Sequence, residues 1–144
     1  MKAAEVYAEL SSARRLHVGC VVVKDNTIIG IGYNGMPSGW DNDCEYRNYR
    51  DLDENYQFLD EDGTTYSLKT RPEVLHAETN AIAKLARSTE SGLGATLFVT
   101  HAPCLDCAKL VYQSGINSVY YRNTYRDKAG LEFLSKAGVK TEQI

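Results

Sequence analysis

The sequence predicts an α/β protein, a three-layer α/β/α sandwich built on a mixed sheet of about five strands. Two observations carry that expectation. From residue 75 onward the pattern runs helix, strand, helix, strand, helix, strand, which implies parallel strands with helices covering the sheet. Ahead of it, two β-branched runs meet at a short polar junction, which adds an antiparallel hairpin. The 144 residues fit one compact domain, 1–144, with no internal repeat or low-complexity tract.

Each element has its own signal. Val6, Leu10 and Ala13 recur at helical intervals and predict a first helix over residues 3–16. Val18–Val23 and Thr27–Tyr33, joined by Lys24-Asp25-Asn26, predict the hairpin. Residues Asn34 to Thr70 are rich in Gly, Asp, Asn and Tyr and poor in aliphatics. That is too long for a plain connection and reads as a functional insertion, at about 36–72, with some local helix. Val74–Arg87 places Leu75, Ile82 and Leu85 on a helix, with alanines for close contacts, and Ser91–Gly94 breaks it. Ala95–Thr100 reads as a buried strand. Cys104–Ser114 returns to helical spacing through Leu105, Ala108, Val111 and Tyr112, capped by Gly115. Ser118–Tyr121 is a strand, Asp127–Ala137 a helix capped by Gly138, and Val139–Thr141 a last short strand.

Composition narrows the function. Hydrophobic residues make up 43% and charged residues 24%, ordinary for a soluble globular chain. No apolar run approaches the ~20 residues of a membrane span. Met1-Lys2-Ala3-Ala4-Glu5 lacks the apolar stretch of a secretory signal, so a cytoplasmic location is expected, the host cytoplasm if the source is viral. Sixteen basic residues against 19 acidic ones give a net charge of −3, the wrong balance for gripping a nucleic acid backbone. A single phosphate is a different matter, because one or two placed arginines hold it. The expected partner is therefore a small anion such as a mononucleotide, with neither nucleic acid nor membrane.

Of the four cysteines, Cys20 sits in the apolar run Val18-Gly19-Cys20-Val21-Val22-Val23 and reads as a small buried hydrophobe. Cys44 lies in a polar stretch and reads as a lone surface thiol. A second zinc site using it lacks an obvious ligand set. Cys104 and Cys107, in Pro103-Cys104-Leu105-Asp106-Cys107, are three apart at a predicted helix start, so their sulfurs share one face of the first turn. Pro103 suits the position before that turn, and first-turn amides favour thiolates, the metal-binding form. His76-Ala77-Glu78 opens the other predicted helix. With His76 the cysteines make a Cys₂His set, whose three ligands leave one tetrahedral position for water, as in catalytic zinc sites. Two thiolates neutralise Zn²⁺ and acidify that water less than histidines would, so a nearby base is useful. Glu78 stands two residues from His76. The joint pattern H-x-E with P-C-x-x-C is the signature of zinc deaminases. A redox pair at Cys104 and Cys107, or a structural zinc completed by His101, remain alternatives.

At these residues the chain resembles the cytidine deaminase superfamily, and within it the deoxycytidylate (dCMP) deaminase family, especially compact bacterial and viral members. The similarity runs through Arg15 with Val18-Gly19, Gly32-Tyr33-Asn34-Gly35-Met36-Pro37-Ser38-Gly39, His76-Ala77-Glu78 with Asn80-Ala81-Ile82, Val99-Thr100 before Pro103-Cys104, and Ser114-Gly115-Ile116. The resemblance implies a cytidine deaminase-like fold and zinc-dependent hydrolysis of dCMP to dUMP and ammonia, which supplies dUMP for dTMP synthesis. It implies one catalytic Zn²⁺ on His76, Cys104 and Cys107, with Glu78 as proton shuttle. It implies substrate contacts from Asn34 to the deoxyribose hydroxyl, from the Ala77 amide to the base carbonyl, from Arg15 and Tyr125 to the phosphate, and from Pro103. It further implies a homohexamer switched on by dCTP and off by dTTP. That nucleotide site falls around Gly35, Met36, Gly39, Trp40 and Asp43, where Mg²⁺ would accompany the effector triphosphate. Two other functions compete: a deaminase of bases in tRNA or single-stranded DNA, and a non-catalytic nucleotide- or zinc-binding protein.

Overall fold

In chain order the elements are α1 (Lys2–Ala8), β1 (Gly19–Lys24), β2 (Thr27–Tyr33), β3 (Glu45–Asn48), β4 (Gln57–Leu59), β5 (Thr65–Thr70), α2 (Ala77–Leu85), β6 (Thr96–His101), α3 (Leu105–Gln113), β7 (Ser118–Asn123), α4 (Ala129–Lys136) and β8 (Lys140–Gln143). They come from a computed structural model that describes all 144 residues. The main sheet has five strands in the order β2-β1-β6-β7-β8. β1 pairs antiparallel with both β2 and β6, whereas β6, β7 and β8 run parallel, as the sequence predicts. Asp25 and Asn26 turn the opening hairpin at φ 46° and 61°, the left-handed pair a tight two-residue turn requires.

Strand pairing decides which residues form the core. Cys20 lies opposite Gly32 and Val99, and Val22 opposite Leu97, so these side chains share one face. That face, with Val119, packs against Ala77, Ala81 and Leu85 of α2, Ala108 and Val111 of α3, and Leu134 of α4. Gly19 belongs to the opposite face, where α1 lies. A Cβ on Gly19 would collide with the Ala4 carbonyl and the Ala8 backbone.

That close approach corrects the expected first helix. α1 ends at Ala8 instead of running to residue 16, and its buried residues are Ala4 and Ala8. Val6 and Leu10 are 60% and 58% exposed. Backbone-to-backbone packing on a glycine selects the smallest side chains for the inner face, so the bulky apolar residues point outward. Beyond it the Ser11 hydroxyl accepts the Ala13 N–H at 3.2 Å, a local turn that competes with further helix.

The insertion is also corrected. Where some local helix was expected, residues 45–70 form a second, antiparallel sheet in the order β3-β5-β4. Asp60 accepts the Gly63 N–H through its carbonyl at 3.0 Å, and Gly63 takes φ 82°, which turns β4 into β5. Phe58 stacks on Tyr66, and Arg47 lies over the same ring, so β-forming aromatics hold the sheet although the strands are short. Paired N–H···O bonds between Gly35 and Leu75, at 3.1 and 2.9 Å, pinch the neck. Cys44, expected at the surface, is buried there against Ala13 and Val74, with its Sγ 3.4 Å from the Ser12 hydroxyl.

Two further glycines locate the helices that matter for chemistry. A Cβ on Gly32 would strike the Ala77 carbonyl at the start of α2, and one on Gly130 would strike the Pro103 carbonyl beside Cys104. Gly32→Ala is therefore expected to cost about 2–3 kcal/mol of stability by overpacking. Urea unfolding of the two proteins tests this; a difference within the scatter of surface substitutions would remove the contact as a determinant of where α2 sits.

Candidate active site

His76 is the residue that caps α2 in extended conformation, and its carbonyl accepts the Thr79 hydroxyl at 2.8 Å and the Asn80 N–H at 3.0 Å. Asn80 Nδ2 donates to the Tyr33 carbonyl at 2.8 Å, which ties this first turn to the end of β2. Cys104 caps α3 in the same way, and its carbonyl accepts the Ala108 N–H at 2.9 Å. Its approach is fixed at the strand end, where the Ala102 N–H donates to the Asn123 carbonyl at 2.8 Å. Both helices thus begin at the same end of the sheet, the place where α/β folds assemble their sites.

There His76 Nδ1 stands 3.3 Å from Cys107 Sγ and 3.6 Å from Cys104 Sγ. These are the only three His, Cys, Asp or Glu donors that cluster as a potential metal site, all within 4.8 Å of one another. The edges of a tetrahedron with Zn–N and Zn–S arms of about 2.1 and 2.3 Å run to roughly 3.6–3.8 Å, so the donor set fits a zinc ion. His101 is outside the cluster, its Nδ1 3.2 Å from the Thr100 hydroxyl. Cys44 joins no such group either.

The charges within the cluster are coupled. The Cys104 thiol is lowered to about 4, first by the hydrogen bond from Cys107 and then by His76. Cys107 accordingly holds its proton, raised by its bond to Cys104, by burial and by Glu78. His76 is raised mainly by its hydrogen bond to Cys104. Glu78, only 4% exposed, is raised because burial penalises its charged form. Cys20 is fully buried in the core, and burial raises its thiol too, the inert behaviour expected of it.

A cleft of about 390 Å³ opens over the cluster, within the size range of small-molecule sites. His76, Ala77, Glu78 and Cys104 form one side of its lining, and Arg15, Asn34 and Tyr125 belong to it as well. Asn34 is held at both ends: its Oδ1 accepts the Val18 N–H and its Nδ2 donates to the Leu16 carbonyl, each at 2.8 Å. Pro103 is fully buried and does not line the cleft. Nor do Gly35, Met36, Gly39, Trp40 and Asp43, which lie along the insertion's first stretch. In that stretch Trp40 is 59% exposed, Gly39 takes φ 85°, and the Asp43 carboxylate is shared by Arg14 at 2.9 Å and Arg71 at 3.0 Å. Sequence reasoning missed Asn55, Tyr56 and Thr70 from the insertion, and Arg126 beside Tyr125, all of which line the cleft. No spacing pattern marks them; Asn55, Tyr56 and Thr70 reach it because the insertion folds back over Arg15, and Arg126 reaches it from the segment after β7.

Comparison with known proteins agrees with this geometry. Residues 1–123 match the model of the cytidine and deoxycytidylate deaminase zinc-binding region. The deoxycytidylate deaminase of Enterobacteria phage T4 is 33% identical over 152 residues, spanning 88% of this chain and 78% of the phage protein. ComE operon protein 2 of Bacillus subtilis is 32% identical over 145 residues, covering 100% of this chain and 68% of that protein. Among solved structures, the dCMP deaminase of cyanophage S-TIM5 in complex with dCMP and dUMP superposes with a TM-score of 0.82 at 42% identity, covering 99% of this chain and 92% of the other. A fold, a three-donor cluster beside a buried glutamate and a match over most of the sequence coincide, and the chain belongs to the cytidine and deoxycytidylate deaminase family.

Proposed function

We propose that the chain is a zinc-dependent deaminase converting dCMP and water to dUMP and ammonia, with residues 1–144 acting as one deaminase domain. The observation that carries this reading is a buried glutamate beside a Cys₂His donor set, whose His76 and Cys104 line a cleft that also contains an arginine. A purely structural metal site has no use for such a carboxylate. The similarity to the cyanophage enzyme, solved with dCMP and dUMP, supports the choice of substrate.

His76, Cys104 and Cys107 would hold one Zn²⁺, which supplies a Lewis acid that makes water a nucleophile near neutral pH. Glu78 takes the proton of the attacking water as its oxygen bonds to C4 of the cytosine ring. Glu78 passes that proton to N3, takes the remaining proton of the C4 hydroxyl and gives it to the amine, and the C4–N bond breaks to release ammonia and leave the C4 carbonyl. A carboxyl raised by burial suits this work, because it holds a proton more readily than an exposed carboxyl and can still give it up. The Ala77 amide, at a helix start, binds the base carbonyl, and Asn34 the deoxyribose hydroxyl. Arg15 and Tyr125 take the phosphate, while Pro103 shapes the loop behind Cys104. The product dUMP would feed dTMP synthesis.

Regulation belongs to the same reading. dCTP, with Mg²⁺, activates and dTTP inhibits at the segment of Gly35, Met36, Gly39, Trp40 and Asp43, in a cytoplasmic homohexamer. Support comes from exposed Trp40, from Gly39, which lets a backbone approach phosphates, and from the two arginines around Asp43. Exposed Leu93, Leu110 and Tyr112 offer apolar surface for association.

Three outcomes test these proposals. Ammonia release is expected from dCMP in preference to deoxycytidine, CMP or tRNA, and Glu78→Gln should keep its zinc while losing about 10³- to 10⁴-fold in turnover; appreciable residual activity would reject Glu78 as the shuttle. Zinc must displace the protons of Cys107 and His76, both raised in the metal-free site, while Cys104 at about 4 is already a thiolate at neutral pH. Apparent zinc affinity should thus fall by about tenfold or more for each unit of pH lost below neutrality; competition with a chromogenic chelator measures it, and a flat profile contradicts the ligand set. Finally, dCTP and dTTP should move the rate in opposite directions while native mass spectrometry records a hexamer; indifference to both nucleotides would discard the effector site.

A further inference from the structure

Arg15 is where the insertion meets the cleft. Its Nη1 donates to the Thr70 hydroxyl at 3.1 Å and its Nη2 to Asp53 Oδ2 at 3.0 Å, while its Cζ stands 4.5 Å from the centre of the Tyr56 ring. The Arg15 and Asp53 side chains are only 16% and 11% exposed. Its backbone is held too, because the fully buried Glu45 carboxylate accepts the N–H groups of Arg14 at 3.0 Å and Arg15 at 3.1 Å. Every one of these partners comes from the insertion.

Asp53 does two jobs with one carboxylate. Oδ1 accepts the Asn55 N–H at 3.1 Å and the Asp53 carbonyl accepts the Tyr56 N–H at 3.0 Å, building the turn that lays Tyr56 on the guanidinium. Oδ2 pairs with Arg15 and stands 4.0 Å from Nη1 of the largely exposed Arg126. The carboxyl is held below its usual range, first by the Asn55 N–H and, among the charges, by Arg15, so it stays ionised at neutral pH. Two arginines against one aspartate leave a local charge of +1. Arg15 Nε, moreover, is buried without a partner, a costly state for a donor unless a ligand completes it.

We propose that the insertion is a clamp selecting the 5′-phosphate: Asp53, Tyr56 and Thr70 fix the Arg15 guanidinium in place beforehand, and Arg126 closes onto the same anion. The clamp rests on the reading of Arg15 as a phosphate contact. Ordering a free arginine on binding costs affinity, since its side chain gives up many rotamers. Here that cost is met during folding, and the second N–H of each Arg15 Nη and the largely exposed Arg126 remain as donors for a dianion. Asp53 is a positioning residue, acting through Arg15, and its removal should be felt only by substrates that carry a phosphate.

Asp53→Asn keeps an oxygen for the Asn55 turn and removes the ion pair. Its KM for dCMP should rise about five- to tenfold with kcat within about twofold, and kcat/KM for deoxycytidine should stay at the parent value. The inhibition constant of inorganic phosphate against dCMP should rise in step, and Tyr56→Ala should repeat the pattern. Equal losses on dCMP and deoxycytidine would mean a merely structural role and overturn the clamp, as would an unchanged KM, or a lower one, with dCMP. A parent protein that turns over no dCMP would overturn the clamp and the functional reading together, whereas an active parent with an indifferent Asp53→Asn defeats the clamp alone.

Discussion

A donor set divided between His76 and the Cys104–Cys107 turn demands that two helix beginnings, far apart in sequence, meet within the reach of one ion. The sheet meets that demand by geometry. α3 starts at the carboxyl end of β6, a central strand, and α2 is seated on the β2 edge with its own start at the same end. Neither helix could come so close to its support if a side chain intervened. Gly32 beneath Ala77 and Gly130 beside Pro103 and Cys104 remove that obstacle. Those two contacts seat the helix starts on which His76 Nδ1 lies 3.3 Å from Cys107 Sγ and 3.6 Å from Cys104 Sγ.

The same crowding separates the site's two acids. Cys104 is half-buried and surrounded by donors, so hydrogen bonds decide its state and it is a thiolate. Glu78 is buried to the point where desolvation outweighs the nearby His76, and its carboxyl is pushed upward. Two groups far apart in sequence, brought together at the starts of facing helices, thus end with opposite shifts because one keeps its donors and the other loses its water. That division is what a ligand and a proton shuttle respectively require.

What the sequence revealed follows from how local each signal is. Helix starts at His76 and Cys104, the β1–β2 turn at Asp25-Asn26 and the glycine caps at Gly115 and Gly138 are set by neighbours a few residues away, and all of them are found where the pattern puts them. The failures are tertiary. Val6 and Leu10 gave helical periodicity, but the inner face was chosen by contact with Gly19, a residue eleven positions beyond Ala8. Strands β3 to β5 escaped notice because their residues face solvent on both sides in several places, leaving Phe58 and Leu59 exposed and no clean alternation to detect. Cys44 read as a surface thiol among polar neighbours, yet Ala13 and Val74 bury it. Tyr56, Thr70 and Arg126 carry no motif at all: the folding of the insertion over Arg15 brings Tyr56 and Thr70 to the cleft, and Arg126 reaches it from the segment after β7 beside Tyr125.

The overall charge of −3 and the cationic rim of the cleft are reconciled by the same insertion. Arg14, Arg47 and Arg71 on or near it are bound to Asp43, Glu45 and Asp60, so most of its positive charge is spent internally. Where Arg15 and Arg126 share Asp53, one positive charge is left over beside the cleft, a local feature with the reach of one phosphate and too small to follow a polynucleotide. Asn34 extends this economy to the sugar side. Its amide spans the Leu16 carbonyl and the Val18 N–H, so it fixes the stretch immediately after Arg15 and still keeps one N–H and one lone pair for a ligand. The residue proposed for the deoxyribose and the residue proposed for the phosphate are therefore held in one frame. The spacing between those two contacts is set by two hydrogen bonds of 2.8 Å before any substrate arrives, which is how a surface loop acquires the rigidity of a binding site.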